Sequence, residues 1–130
     1  MKRKLRLNTS LGIILCHIAI SNSKKTLYLK MALDTGATYT MIPYEAAATI
    51  GIDPTKAKKT IEIVMGNGTI LAPLVTLPTV SAFGFQVKNL EVICHDLPSE
   101  SSVEGLLGLN FLRNFNLFLK FKDRKLEISK

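Results

Sequence analysis

An acidic residue placed directly after an apolar strand constrains this sequence more than any other feature. Residues 27–33 alternate as one strand of a half-buried sheet does, and Asp34 follows them within the four residues D-T-G-A. Gly36 has no Cβ, so the backbone can come close to whatever Asp34 faces. Thr35 and Thr38 add hydroxyls that can bond the carboxylate or the turn. An ordinary Asx-type turn between two elements is the alternative interpretation of these residues alone.

A glycine-tipped hairpin is the second strong pattern. Residues 60–65 and 69–75 alternate and are largely apolar, and they flank the tip Gly66-Asn67-Gly68. Pro73 cannot donate a main-chain hydrogen bond, which predicts that part of this hairpin is a sheet edge. Such a hairpin is a candidate mobile cover for a site, and an ordinary surface hairpin is the alternative.

The remaining segments predict a chain that is mostly β-strand with two short helices. Proline at the start and glycine at the end mark one helix over residues 43–51, and an apolar strand runs through Gly108 into a second helix at residues 110–114. The other predicted strands cover residues 13–21, 26–33, 40–42, 83–90, 91–94, 116–122 and 124–129, with 83–90 and 91–94 meeting at Lys88-Asn89.

Size and composition indicate a single domain, residues 1–130, with an aliphatic core. The sequence has no run of 18 apolar residues, which argues against a membrane span. The net charge of +7 comes from scattered basic clusters without a recognition-helix or aromatic-interleaved pattern, so nucleic-acid binding is not expected. Two cysteines without C-x-x-C spacing and two widely separated histidines give no metal site, and no cofactor is expected.

The N-terminal residues admit two interpretations. A basic start followed by the mostly apolar residues 11–20 resembles a short secretory signal. However, His17 interrupts the apolar stretch, no small-residue cleavage site closes it, and residues 14–20 alternate as a strand does. A strand is therefore favoured over an export signal spanning residues 1–21, and a cytoplasmic location over an exported one. Whether the basic first residues form an arm or a strand stays open.

Together these motifs resemble the retropepsin family of aspartic proteases, and more closely the retropepsin-like proteins of cellular genomes. The family order is a strand ending in D-T-G-A, a glycine-tipped hairpin, and two apolar residues with glycine before a short helix, here Leu106-Leu107-Gly108. The likeness covers about residues 13–128 and implies a single-domain closed β-barrel with a flap hairpin and two short helices. In one departure, Thr38 and Leu109 stand where viral members carry an acidic residue and an arginine that pair. Hydroxyls and packing must then hold the turn.

The resemblance also implies an aspartic endopeptidase assembled from two chains. The chemistry needs two carboxylates that share one proton. Asp34 is the one aspartate in a D-T-G context, since Asp53, Asp96 and Asp123 lie in others. A symmetric homodimer would bring Asp34 against its own copy. A retropepsin-fold dimerisation or peptide-binding module with little turnover is the alternative function.

Further roles follow from the resemblance alone. Contacts with a peptide or protein substrate are implied for Thr35, Gly36, Ala37, Met65, Gly66, Asn67, Gly68 and Leu106. Thr35 would also bond across the dimer axis. Candidates for apolar side-chain pockets are Leu33, Ile42, Leu71, Leu74 and Leu106.

Overall fold

The computed structural model describes residues 1–130 apart from the side chain of Met65. The described residues form ten strands, two α-helices and one 3-10 helix. The strands are β1 (Lys2–Arg6), β2 (Leu15–Ser21), β3 (Thr26–Leu33), β4 (Thr40–Ile42), β5 (Lys59–Met65), β6 (Gly68–Ala82), β7 (Phe85–Cys94), β8 (Gly105–Leu107), β9 (Asn116–Lys120) and β10 (Lys125–Ser129). The helices are α1 (Tyr44–Thr49) and α2 (Leu109–Leu112), and the 3-10 helix spans Pro54–Lys56. Among the described residues, no helix has the length and hydropathy needed to cross a bilayer.

The larger sheet closes on itself as a six-stranded barrel. Its neighbours follow the order β2-β3-β8-β4-β7-β6, and β6 returns to pair with β2 through residues 79–81. Strand β5 lies outside this ring as the edge of the sheet, and its partner is the first half of β6. The sequence prediction of a mostly-β, single-domain closed barrel with two short helices is therefore confirmed.

Side-chain alternation explains why the barrel strands form and where they point. In β2, Cys16, Ile18 and Ile20 are buried while His17 between them is exposed. These side chains join one apolar cluster that includes residues from β3, β6, β7, α2 and the chain termini. Burying each large aliphatic or aromatic side chain contributes about 1.5–3 kcal/mol. This cluster fixes the position of β3, and with it the position at which Asp34 leaves the sheet.

The two ends of the chain form a second sheet, called here the terminal sheet, with the order β1-β10-β9. The basic first residues are thus a strand, because β1 pairs antiparallel with β10 from Lys2↔Ser129 to Arg6↔Lys125. Leu126 and Ile128 on β10 are buried and belong to the same cluster as the barrel strands. One face of the terminal sheet therefore closes the main core.

The prediction of two strands at residues 83–90 and 91–94 was wrong. Residues 85–94 are one strand, and the hairpin turn lies earlier, at Phe83-Gly84, where both residues have positive φ angles of 57° and 83°. The polar Lys88-Asn89 pair lies at a gap in the β6–β7 ladder: Asn89 has a φ of 53°, and neither it nor Pro78, which lacks an N–H, is paired there. The buried side of β7 changes across this point, from Phe85 before it to Leu90 and Val92 after it. When the buried side changes within one strand, the sequence pattern is the same as that of two strands joined by a turn.

Candidate active site

Asp34 lies at the carboxyl end of β3, beside the parallel strand β8. Its main-chain N–H donates to the Leu107 carbonyl at 2.9 Å, which continues the pairing of β3 with β8 by one residue. Its Oδ1 accepts a hydrogen bond from the Gly36 N–H at 2.9 Å. A Cβ on Gly36 would lie 3.2 Å from that oxygen, so glycine leaves the carboxylate room. The local fold therefore orients one carboxylate oxygen of Asp34 toward the Gly36 N–H.

The turn that carries Asp34 is open to solvent. The Asp34 side chain is partly exposed, and Thr35 and Gly36 are exposed. Among the side chains that the structure describes, the hydroxyls of Thr35 and Thr38 have no hydrogen-bond partner within the chain. The expectation that hydroxyls of these two residues hold the turn is thus not met inside one chain. Their donor groups stay free for contacts outside it.

The start of α2 supports this turn from behind. The Leu109 N–H donates to the Ala37 carbonyl at 2.8 Å, and the Asn110 N–H to the Thr38 carbonyl at 3.2 Å. A Cβ on Gly108 would lie 2.6 Å from the Tyr39 carbonyl oxygen and 2.8 Å from that of Ala37, closer than real Cβ atoms approach. The glycine after Leu106-Leu107 is therefore required by a close approach of two backbones.

Thr40 and Asn110 form a polar link behind the turn that the sequence interpretation missed. Thr40 is completely buried, and its hydroxyl lies 2.9 Å from the Asn110 Oδ1 and accepts from the Gly108 N–H at 3.1 Å. The Thr40 N–H also donates to the Asn110 Oδ1, at 2.9 Å, while the Asn110 amide donates to the Glu91 carbonyl. One amide thereby ties β4, α2 and β7 together. The sequence signal for this link was Thr40 in an otherwise apolar strand. That signal is weak, because nothing nearby in the sequence indicates its distant partner.

Within the described residues, the D-T-G-A turn is held without an ion pair. Thr38 and Leu109 make no charged contact, yet the main chain of α2 holds the same turn through two hydrogen bonds. Main-chain hydrogen bonds within a protein each contribute about 1 kcal/mol net. Support for the turn therefore comes from the main chain and from Thr40. The helix predicted at residues 110–114 begins one residue earlier, at Leu109, whose N–H donates one of the two bonds to the turn.

The β5–β6 hairpin presents one apolar face toward Tyr39, which follows the D-T-G-A turn. Ile61 and Ile63 pack with Tyr39 against a small buried cluster of Ala72, Leu74 and Ile93, separate from the main core. The tip is the two-residue turn Gly66-Asn67, and Gly68 has a φ of 134° that favours glycine. The side chain of Met65 lies outside the described part of the chain.

The pocket candidates fall in different places. Leu106 is partly buried on β8 opposite Met41, and Leu74 lies in the hairpin cluster. Leu33 and Ile42 belong to the main core, so they are committed to packing. Leu71 is 69% exposed and lies opposite Glu62, on the hairpin face that points away from Tyr39. Leu74 is likewise buried in its cluster, so Leu106, which is partly exposed beside the end of β3, is best placed to line a pocket.

The other aspartates have structural positions of their own. Asp53 caps the 3-10 helix by accepting from the hydroxyl and the N–H of Thr55, and these two bonds, the hydroxyl bond most, lower the pKa of Asp53. Asp96 accepts from the Tyr44 N–H at the start of α1, and Asp123 lies in the turn between β9 and β10. Within the described residues, no three histidine, cysteine or acidic side chains cluster as metal ligands would. Of the four aspartates in the sequence, only Asp34 lies in a D-T-G-A turn.

A closed barrel that delivers a single aspartate into a D-T-G-A turn, braced by a glycine and a short helix, defines the aspartic-protease type of site. A profile of the gag-polyprotein putative aspartyl protease family matches residues 21–114, which is most of the chain. The chain therefore belongs to this family of retropepsin-like aspartic proteases, and the resemblance stated from the sequence is confirmed.

A solved structure agrees with the architecture. The crystal structure of a retropepsin-like aspartic protease from Rickettsia conorii is similar over 98% of this chain and 89% of that chain, with a TM-score of 0.74. The sequence identity is 24%, so this likeness establishes the fold. Comparison with curated proteins gives no match.

Proposed function

We propose that the protein is an aspartic endopeptidase that hydrolyses peptide bonds as a homodimer, with Asp34 contributed by each chain. The observation that carries this proposal is the isolated carboxylate of Asp34. It is oriented by the Gly36 N–H, exposed in an open turn, and provided by a chain of the aspartyl protease family.

One such carboxylate is insufficient for the chemistry. Of the two carboxyl groups in an aspartic dyad, the ionised one takes a proton from a water, and the protonated one donates to the carbonyl oxygen under attack. Two like charges at hydrogen-bonding distance cannot both ionise, so the pair holds a single proton. A two-fold axis beside Asp34 supplies the second carboxyl group from an identical chain.

The surroundings of Asp34 fit an extended peptide as the substrate. In the proposed complex the main chain of Gly36 and Ala37 binds the substrate backbone, as an added strand would be bound. Gly66, Asn67 and Gly68 close over it together with Met65 and exclude water. Leu106 contacts a substrate side chain, and the free hydroxyl of Thr35 bonds across the dimer axis and holds the two turns together.

The test is the loss of cleavage on Asp34→Asn, a change that keeps the shape of the side chain and removes its charge. We expect the variant to fold and to bind peptide, and to cleave none of a denatured protein mixture analysed by mass spectrometry. Asp123→Asn, in the turn between β9 and β10, is the matched control and should cleave as the native chain does. Activity of the native chain should follow a bell-shaped pH profile on the acidic side of neutrality.

Two results would reject the proposal. Cleavage that persists in Asp34→Asn would show that another group does the chemistry. A native chain that binds peptides without cutting them, at any pH, would instead identify a peptide-binding module of the same fold.

A further inference from the structure

The net charge of the chain is confined to the terminal sheet and its connecting turn. Residues 1–6 and 120–130 contain nine of the 17 basic residues and two of the ten acidic ones. Residues 7–119 contain eight basic and eight acidic residues and so carry no net charge. The whole formal charge of +7 therefore lies where the two chain ends meet.

Strand register arranges much of this charge on one face of the sheet, called here the outer face because Leu126 and Ile128 occupy the opposite one. Cross-strand partners share a face, so the outer face consists of three rows. The rows are Arg6–Lys125–Lys120, Lys4–Glu127–Phe118 and Lys2–Ser129–Asn116. The face thus holds five cations and one anion.

The one carboxylate cannot balance these cations. Glu127 is bonded to Lys120 at 2.9 Å and Lys2 at 3.1 Å, and these two bonds lower its pKa to about 2; Lys4 lies 3.9 Å away. Among the described residues, Arg6 and Lys125 have no carboxylate oxygen within 4 Å. Like charges directly opposite each other on a sheet are unfavourable. Two uncompensated cations opposite each other are consistent with an anionic partner outside the chain.

Exposed aromatic side chains accompany the charge. Phe118 on the outer face is 58% exposed, with the Lys120 ammonium 5.1 Å from its ring centre. Phe121, in the turn that follows β9, is 63% exposed. Lysines beside exposed apolar groups are the combination with which proteins attach to the surface of an anionic bilayer.

We propose that the outer face of the terminal sheet binds the surface of an anionic phospholipid bilayer. Four of its five cations are lysines, which act as hydrated point charges and suit a diffuse layer of headgroups. Sequence-tolerant nucleic-acid sites combine a charged groove with several stacking aromatic rings, whereas this face is a pleated sheet with one ring, Phe118, and a second in the adjoining turn. The bilayer is therefore the favoured partner.

The test is sedimentation of the full chain, carrying Asp34→Asn to prevent self-cleavage, with vesicles of phosphatidylcholine alone or with added phosphatidylserine. We expect binding only to the anionic vesicles, and weaker binding as salt is raised. Each lysine or arginine near an anionic leaflet strengthens binding roughly fivefold. Arg6→Gln with Lys125→Gln should therefore weaken it about 25-fold, whereas the control Lys56→Gln with Lys58→Gln, of equal charge but at another site, should not.

The apolar contribution is tested separately. Phe118→Ser should weaken vesicle binding by about tenfold, while Tyr28→Ser, at an aromatic residue 75% exposed on β3, should not. Circular dichroism confirms that each variant folds. The proposal fails if the two charge variants behave alike, if neither vesicle binds, or if a single-stranded oligothymidine binds the same face more tightly than the vesicles. If neither vesicle binds and the variant with Arg6→Gln and Lys125→Gln aggregates, these cations instead keep the edge of the sheet from pairing with other chains.

Discussion

Replacing Gly108 with alanine tests whether the close approach of α2 to the D-T-G-A turn holds the site in place. The new Cβ would lie 2.6 Å from the Tyr39 carbonyl oxygen and 2.8 Å from that of Ala37. Both contacts are with main chain, which cannot rotate away as a side chain can. We expect the turn and the helix to separate, with the Gly108 and Leu109 N–H groups losing their partners.

The size of the effect follows from these contacts. Overpacking at a buried position costs about 1–3 kcal/mol, and two weakened hydrogen bonds add about 0.5–1 kcal/mol each. The free energy of unfolding should therefore fall by about 2–5 kcal/mol. For 130 residues, at about 2.1 cal/mol/K of unfolding entropy per residue, the Tm should fall by roughly 7–18 °C.

Thermal unfolding at one fixed protein concentration measures this shift, since association would make Tm depend on concentration. The matched control is Gly66→Ala, where a Cβ meets nothing within 4 Å and φ is not positive. This control should change the Tm by less than about 2 °C, as surface substitutions usually do. A Gly108→Ala chain as stable as the control would refute the claim that this glycine is needed for a backbone contact.

Three further predictions concern side chains away from the carboxylate. Asn110→Ala leaves the buried hydroxyl and the N–H of Thr40 without their acceptor, so the free energy of unfolding, measured by chemical denaturation, should fall by about 2–4 kcal/mol. An unchanged denaturation midpoint would contradict a stabilising Thr40–Asn110 bond. Lysine partners lower the pKa of Glu127 to about 2 from 4.5. The ionised Glu127 therefore stabilises the folded chain above pH 4.5, and this contribution to stability is lost as pH falls toward 2. Glu127→Gln should therefore be less stable than the native chain at pH 6 and equal to it near pH 2, whereas Glu62→Gln should match the native chain throughout. Burial raises the pKa of the Cys16 thiol to about 12 and of the Cys94 thiol to about 11. Neither should react with a thiol reagent at pH 8 until denaturant unfolds the chain, and rapid labelling of the folded protein would contradict this.

The sequence was sufficient for features that depend on short-range pattern. The strand before Asp34, its D-T-G-A turn and the hairpin around Gly66-Asn67 each have their period or turn residues within a few positions. The structure has β3 over the predicted residues 26–33 and the hairpin strands within a residue of their predicted inner ends. These elements carry the proposed chemistry, which is why the family resemblance was visible in the sequence.

Features that depend on distant partners were not predictable in this way. The Thr40–Asn110 bond joins residues 70 positions apart, and nothing near Thr40 indicates an acceptor. The gap in the β6–β7 ladder involves Asn89 and Pro78 on two neighbouring strands, so the local pattern around Asn89 alone suggested a turn. The pairing of β1 with β10 joins the two ends of the chain, and it alone explains why the basic first residues form a strand.

The requirement for two copies of Asp34 is tested most directly by mixing. Native chains and Asp34→Asn chains are unfolded together in equal amounts, refolded at constant total concentration, and assayed for peptide cleavage. If each site needs one Asp34 from both chains, random pairing leaves about one quarter of the native activity. If a single chain suffices, about one half remains, and that result would contradict the account.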